Sequence, residues 1–289
     1  MRKKLLCSSI ASVVVFMFFP VFQMLDVSAD DKTASKLDNL YNEKKDKEEQ
    51  QKLDLMIKKL YGEDKPAAEK PKKDSAQLKK ESAAREYYPS EVFKLTRESI
   101  VIVVNPQGWG SGFGIRGNGY IITNKHVVCD MKTGTPFSKI AVTHPDWNRE
   151  VRMAKIIQIS KDKDLALIKI EKSLPRTLQL GQTKTLLVGD KVFALGNPGS
   201  GAPDEVGPIL TLTFTEGIVS GKDRQCLGNN CLQTTATINP GNSGGPLLDE
   251  NAFVVGVNTF GLTGLENTFL AITVEEIKKE FKKYTMSDE

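Results

Sequence analysis

From residue 100 to residue 272 the chain is a series of short apolar and β-branched runs, each closed by glycine, proline or asparagine. The runs cover Ile100–Asn105, then 112–116, 119–123, 140–143, 152–159 and 165–170. After a linker over 171–187 they resume at 191–195, 209–214, 217–220, 232–238, 253–260 and 268–272. Stretches this short leave little room for amphipathic helices, which need about ten residues or more of helical periodicity. Many short strands separated by turn signals specify an all-β sandwich or barrel. A short helix over 91–97, capped by Ser90, precedes the series. A second helix closes it, with Thr273 as cap, Glu276 three residues later, and Ile277 and Phe281 as its apolar stripe.

The first 89 residues have a different texture. Arg2-Lys3-Lys4, a mostly apolar stretch over 5–22 and Val27-Ser28-Ala29 read as a secretory signal peptide over residues 1–29, cleaved before Asp30. The rival reading is an uncleaved membrane anchor, since the apolar run approaches spanning length. Either way the chain is exported, to a periplasmic or extracellular location. Residues 30–89 are rich in Lys, Glu and Asp and poor in large apolar side chains, so they bury too little surface to offset their ordering entropy. Leu53, Met56, Ile57 and Leu60 recur at helical spacing and predict a helix within 34–61, ended by Pro66 and Pro71. The segment reads either as a solvated linker or as a helix that docks on a partner or on a second copy of the chain. Its lysines alternate with acids, and the whole chain has 40 basic against 36 acidic side chains, so no nucleic-acid surface is indicated.

Asn239-Pro240-Gly241-Asn242-Ser243-Gly244-Gly245-Pro246 follows one β-type run and leads into another. Such a loop can turn sharply, present the Ser243 hydroxyl and aim backbone N–H groups at one point. Alone it is ambiguous, because a glycine-rich turn or an α/β-hydrolase elbow fits equally well. The chain has only 2 histidines, His126 and His144, and both precede Ser243, which removes the α/β-hydrolase order Ser–acid–His. No aspartate lies between residues 75 and 125, and the earlier ones fall in the charged segment 30–89, which argues against the subtilisin order. His–Asp–Ser remains. His126 follows the apolar run 120–123, whereas His144, in Thr-His-Pro-Asp, looks like an exposed turn residue. Asp164 stands at the mouth of the buried run 165–170, where a carboxylate can be held dry to orient an imidazole; Asp162 is the rival. Two histidines without helical pairing, and no cysteine cluster, point to no metal and no cofactor.

With these residues placed, the chain resembles the trypsin-like serine proteases of the HtrA/Deg type. The resemblance is carried by 110–114 (Gly-Ser-Gly-Phe-Gly), 121–128 (Ile-Ile-Thr-Asn-Lys-His-Val-Val), 164–167 (Asp-Leu-Ala-Leu), 196–198 (Gly-Asn-Pro), 217–220, 233–247 and 255–259, in family order across residues 91–283. It implies two six-stranded antiparallel β-barrels of the chymotrypsin type, over 90–185 and 186–289, with a terminal helix on the second. His126 and Asp164 would come from the first barrel and Ser243 from the second. It implies peptide-bond hydrolysis by His126, Asp164 and Ser243, an oxyanion hole from the N–H groups of Gly241 and Ser243, and a substrate backbone paired with 255–259, including Val257, Asn258 and Thr259. Thr237 would lie near the floor of the specificity pocket. With no acid there, small or medium apolar side chains are favoured over Lys and Arg.

Several positions depart from the family pattern. Asn242 stands where digestive relatives carry an aspartate that pairs with a newly cut N-terminus, so that activation is not expected. Thr235 replaces a usually acidic residue, Thr273 replaces a common proline, and 199–208 is a long turn-rich loop beside the site. No peptide-binding PDZ domain is expected after the second barrel. Cys226 and Cys231 flank a turn signal between two β runs and predict a disulfide in an exported chain. Cys129 is then unpaired and buried, a poor rival nucleophile. Two functions follow: an exported serine endopeptidase acting on unfolded or damaged polypeptides, or a binding, chaperone-like protein of the same fold with suppressed turnover.

Overall fold

The computed structural model describes residues 31–61, 87–199, 209–226, 228–262 and 264–285. The expected signal peptide, the prolines expected to end the first helix and most of the turn-rich loop 199–208 lie outside the described residues. The chain divides into two compact units, Met1–Lys44 and Lys45–Glu289. Helix α1 (Asp31–Tyr61) begins in the first unit, where Leu40 and Tyr41 are exposed.

Within the second unit, α1 is neither a solvated linker nor an unpartnered helix. Its apolar stripe lies on the protein's own sheet: Leu53 is fully buried with Ile102, Val104 and Ala141, and Met56, Ile57 and Leu60 pack around it. The Glu49 carboxylate accepts from the backbone N–H and the hydroxyl of Ser138, both at 2.8 Å. Tyr61 donates to the Thr143 hydroxyl, whose own proton goes to the Glu150 carbonyl. Helix α2 (Pro89–Thr96) starts earlier than Ser90 implied: Pro89 supplies the preset first turn, and Glu91 accepts from the Tyr88 N–H at 2.9 Å.

The first barrel contains β1 (Ile100–Asn105), β2 (Gly108–Gly114), β3 (Tyr120–Thr123), the single-turn helix α3 (Lys125–Val128), β4 (Ala141–Thr143), β5 (Val151–Met153), β6 (Lys155–Ile159) and β7 (Ala166–Lys169). Its antiparallel order is β5-β4-β1-β2-β3-β7-β6. Seven strands rather than six arise because the expected run 152–159 bends at Ala154, whose N–H donates to the Ile140 carbonyl. The two edge strands, β5 and β6, are therefore consecutive in the chain and only Ala154 separates them. β1 explains why α1 docks where it does. Val101 and Val103 face the barrel interior, while Ile102 and Val104 face outward under the helix, so the strand is buried on both faces.

The second barrel is closed and has six strands: β8 (Lys191–Gly196), β9 (Thr213–Cys226), β10 (Asn229–Thr234), β11 (Pro246–Leu248), β12 (Val254–Gly261) and β13 (Phe269–Thr273), in the order β10-β13-β12-β11-β8-β9. β9 merges two expected runs. It pairs with β8 through Ile218 and with β10 from Val219, and at Gly217, just before the handover, a side-chain Cβ would sit 2.1 Å from the Ala236 nitrogen. Residues 209–212 are not strand, and Leu212 takes a left-handed φ of 55°. β10 stops at Thr234 rather than at 238.

Helices α4 (Val274–Glu280) and α5 (Lys282–Thr285) follow. Thr273 occupies the cap position without a side-chain cap bond, and Glu276 does not close a capping box but reaches out to Lys163. Ile277 and Phe281 are fully buried, as their spacing predicted, in a core that joins the barrels through Phe113, Leu165, Phe193 and Leu195.

Candidate active site

The register of two adjacent strands brings the first two functional side chains together. In the β3–β7 pair Thr123 lies opposite Ala166, so the residues just after β3 and just before β7 emerge at the same end of the sheet. There α3 presents His126 and the β7 approach presents Asp164. Asp164 Oδ1 accepts from the His126 backbone N–H at 2.9 Å, and Oδ2 lies 2.7 Å from His126 Nδ1. A carboxylate only accepts, so Nδ1 carries the proton and Nε2 is left as the acceptor. Asp162 is exposed on the cavity rim and makes no such contact.

Ser243 comes from the second barrel, on the turn between β10 and β11. Two glycines on either side take left-handed φ values, 96° at Gly241 and 87° at Gly244. A Cβ at Gly241 would meet the Asn197 carbonyl at 2.5 Å, and one at Gly244 the Ser111 carbonyl at 2.2 Å. Both conformation and space therefore demand glycine.

The turn is tied to the first barrel through Ser111 of β2. Its N–H donates to the Ser243 carbonyl and its hydroxyl to the Gly241 carbonyl, both at 2.8 Å. Asn197 in turn donates to the Ser111 hydroxyl from its backbone N–H at 2.9 Å and from Nδ2 at 3.2 Å.

The two peptides that carry the expected oxyanion donors are held by their carbonyls. Pro240 accepts from the Gly199 N–H at 3.1 Å and Asn242 from the Gly245 N–H at 2.9 Å. In a trans peptide the N–H points away from the carbonyl, so these bonds fix the direction of the Gly241 and Ser243 N–H groups. Among the described residues neither N–H donates to a protein acceptor.

The Ser243 hydroxyl itself donates to the Thr259 carbonyl at 2.8 Å, and the hydrogen bonds of the described residues include none between it and His126. Asn124 spans the gap between barrels: its Nδ2 donates to the Asp164 carbonyl at 2.8 Å and to the Thr259 hydroxyl at 3.3 Å. His126, Asp164, Ser243 and Thr259 all line one cavity of about 820 Å³, whose apolar walls include Ile238, Phe260 and Leu262.

Other expected residues sit elsewhere. Val257 and Asn258 are fully buried; Asn258 donates to the Leu195 and Pro246 carbonyls, and its backbone bonds to Gly244 and Gly245. β11 pairs with β12 through Val257 and the Asn258 backbone bonds to the Ser243 turn, so among the described residues strand pairing on that side ends before Thr259, within the expected 255–259. Thr237 does not line the cavity, and its carbonyl accepts from the Thr215 hydroxyl. Thr235 makes a two-way link with Ile218 and so braces β9. The Asn242 side chain is buried against Gly196.

His144 is buried rather than exposed: Nε2 donates to the Arg97 carbonyl at 3.1 Å and Nδ1 accepts from the Asp146 N–H at 3.0 Å. Burial lowers its pKa from the usual 6.5. Burial also pushes the Cys129 thiol up, keeping it protonated and a weak nucleophile. Cys226 and Cys231 form the expected disulfide. Sequence reasoning missed Ser111, Asn124 and Asn197. The available signals were a serine between two glycines and asparagines flanking the functional blocks.

Residues 110–257 match the trypsin-like peptidase domain family. The chain is 39% identical over 163 residues to protease Do-like 1, chloroplastic, of Arabidopsis thaliana, covering 53% of this chain and 33% of that protein. It is 40% identical over 159 residues to a probable periplasmic serine endoprotease, DegP-like, of Chlamydia trachomatis, covering 54% of this chain and 29% of that protein. It thus spans about a third of the length of these curated relatives. The serine endoprotease from Yersinia pestis superposes with a TM-score of 0.55 and 28% identity, over 70% of this chain and 68% of that one.

Proposed function

The chain belongs to the trypsin-like peptidase family, among relatives of the HtrA/Deg type, and from that premise we propose that it is an exported serine endopeptidase using Ser243, His126 and Asp164. The observation that carries the reading is the two-point hold of Asp164 on His126, in the cavity that also receives Ser243. In the reaction the Ser243 hydroxyl swings about its Cα–Cβ bond from the Thr259 carbonyl to His126 Nε2. His126 takes its proton as the oxygen attacks a peptide carbonyl, and Asp164 stabilises the imidazolium. The N–H groups of Gly241 and Ser243 receive the developing oxyanion. His126 then protonates the leaving amine, and water releases the acyl group.

The substrate is an extended polypeptide, added as a strand along β12 from Thr259 onward. Its side chain before the scissile bond is small or medium and apolar, resting near Ile238. Unfolded or damaged proteins present such segments. The relatives' names, the disulfide and the leader-like N-terminus support export to a periplasmic or extracellular location, and polypeptides are the partners; a homo-oligomer fits the same family.

The resting hydrogen bond of Ser243 to Thr259 favours a second reading, in which the protein binds extended chains and turns over only when that bond is broken. Digestion of casein by the wild type and by Ser243→Ala separates the two. Cleavage lost in the variant supports the peptidase. Neither cleavage nor labelling of Ser243 by a fluorophosphonate, with aggregation still suppressed, supports the binder.

A further inference from the structure

Asp164 orients His126, but its own backbone must be fixed by something else. Two carboxamides hold it. Asn124, from the first barrel, donates to the Asp164 carbonyl. Asn229, from the second barrel, accepts the Asp164 N–H on Oδ1 at 3.2 Å. Asn229 is fully buried, and its Nδ2 donates to the Cys226 carbonyl at 3.0 Å, so the side chain is spanned between its own hairpin and the Asp164 approach.

That hairpin joins β9 to β10, and the Cys226–Cys231 disulfide closes it across a separation of 5 residues. The neighbouring contacts run the same way. Lys163 Nζ donates to the Gly228 carbonyl and pairs with Glu276 at 3.2 Å, and Glu276 accepts from the Asn230 N–H at 3.4 Å. Both Lys163 and Glu276 are largely buried, with side-chain exposures of 16% and 5%. The tip of a second-barrel hairpin therefore grips residues 163 and 164 of the first barrel.

We infer that Asn229 is a positioning residue for Asp164, and that the Cys226–Cys231 disulfide holds it in place, so that the second barrel aligns the acid as well as supplying the nucleophile. The inference rests on the triad reading above. A shift of under an ångström in the Asp164 backbone is passed directly to the imidazole, whereas the strand edge that receives the substrate is untouched. Loss of the clamp therefore slows chemistry without weakening binding.

The test uses the full chain as wild type, Asn229→Ala, the pair Cys226→Ser/Cys231→Ser, and the triple variant. Each is titrated to completion with a fluorophosphonate to count competent Ser243, then assayed on fluorescent casein. Asn229→Ala is expected to lower kcat per competent site about tenfold with KM changed less than about twofold, and the cysteine pair about threefold or more. The triple variant should be no slower than Asn229→Ala, because both perturbations release one contact. The inference is overturned if Asn229→Ala keeps wild-type kcat per competent site while only its Tm falls, or if the losses multiply in the triple variant. Should Asn229→Ala not fold, an unchanged kcat per site in the cysteine pair overturns it alone. A wild type that is neither labelled nor active overturns the triad reading with it, a result distinct from wild type and Asn229→Ala turning over alike.

Discussion

Asp164 holds His126 at two points, accepting the backbone N–H of His126 on one carboxylate oxygen and the ring Nδ1–H on the other. The first bond fixes where the residue sits and the second fixes which ring nitrogen is free. Asp164→Asn keeps the shape but can place an amide donor against Nδ1, moving the ring proton to Nε2. The expected loss in kcat on casein is about 10³–10⁴-fold with KM little changed. A loss below tenfold would mean that the carboxylate is not the orienting group.

Ser111 is the hinge pin between β2 and the Ser243 turn. Ser111→Ala leaves the Gly241 carbonyl and the Asn197 backbone N–H without the Ser111 hydroxyl in a buried place, while Asn197 Nδ2 keeps the Val101 carbonyl. Stability should fall by about 1–3 kcal/mol, and kcat should fall with it because the Gly241–Asn242 peptide, which joins the two oxyanion-donor peptides, loses its anchor. Thermal unfolding and casein kinetics check both. A variant that melts earlier yet keeps its kcat would separate Ser111 from the oxyanion hole.

Leu53 is the centre of the contact between α1 and the outer face of β1. Leu53→Ala should destabilise the unit by about 2 kcal/mol or more, lowering Tm by about 4–8 °C in a domain of this size. An unchanged Tm would show that the helix is undocked in solution.

His144 gives the fold a pH dependence with a definite sign. Its folded pKa lies below the usual 6.5, chiefly through burial. The unfolded chain therefore takes up a proton first as the pH falls. The stability it supports is complete above 6.5 and is lost progressively as the pH drops from there toward the folded value. Arg97, Glu98 and Asp146 are the charged groups facing it. His144→Asn should flatten the fall of Tm between pH 6.5 and 5 relative to wild type; parallel Tm–pH curves would contradict the assignment.

The grouping of His126, Asp164 and Ser243 around one cavity could be anticipated from chain order and the scarcity of histidine, and the strand series from local periodicity. What could not be read depends on register between distant strands. Ser111 reaches Gly241 across 130 positions, and Asn229 reaches Asp164 across 65. His144 looked exposed because Thr-His-Pro-Asp is a turn signal. The turn does form, but the imidazole folds under it to reach the Arg97 carbonyl. The helical stripe of α1 was visible without its partner. Its partner was visible too, as the unbroken Ile-Val-Ile-Val-Val of β1, since a strand with one wet face would alternate. Thr237 and Asn258 were placed by family spacing, and the actual pairing of β11 with β12 takes up the first part of the expected edge.

The bend at Ala154 decides where the first sheet ends on both sides. β5 pairs with β4 and β6 pairs with β7, so the change of direction at this single residue sets the position of both rims of the sheet at once, and a substitution there would disturb the two together.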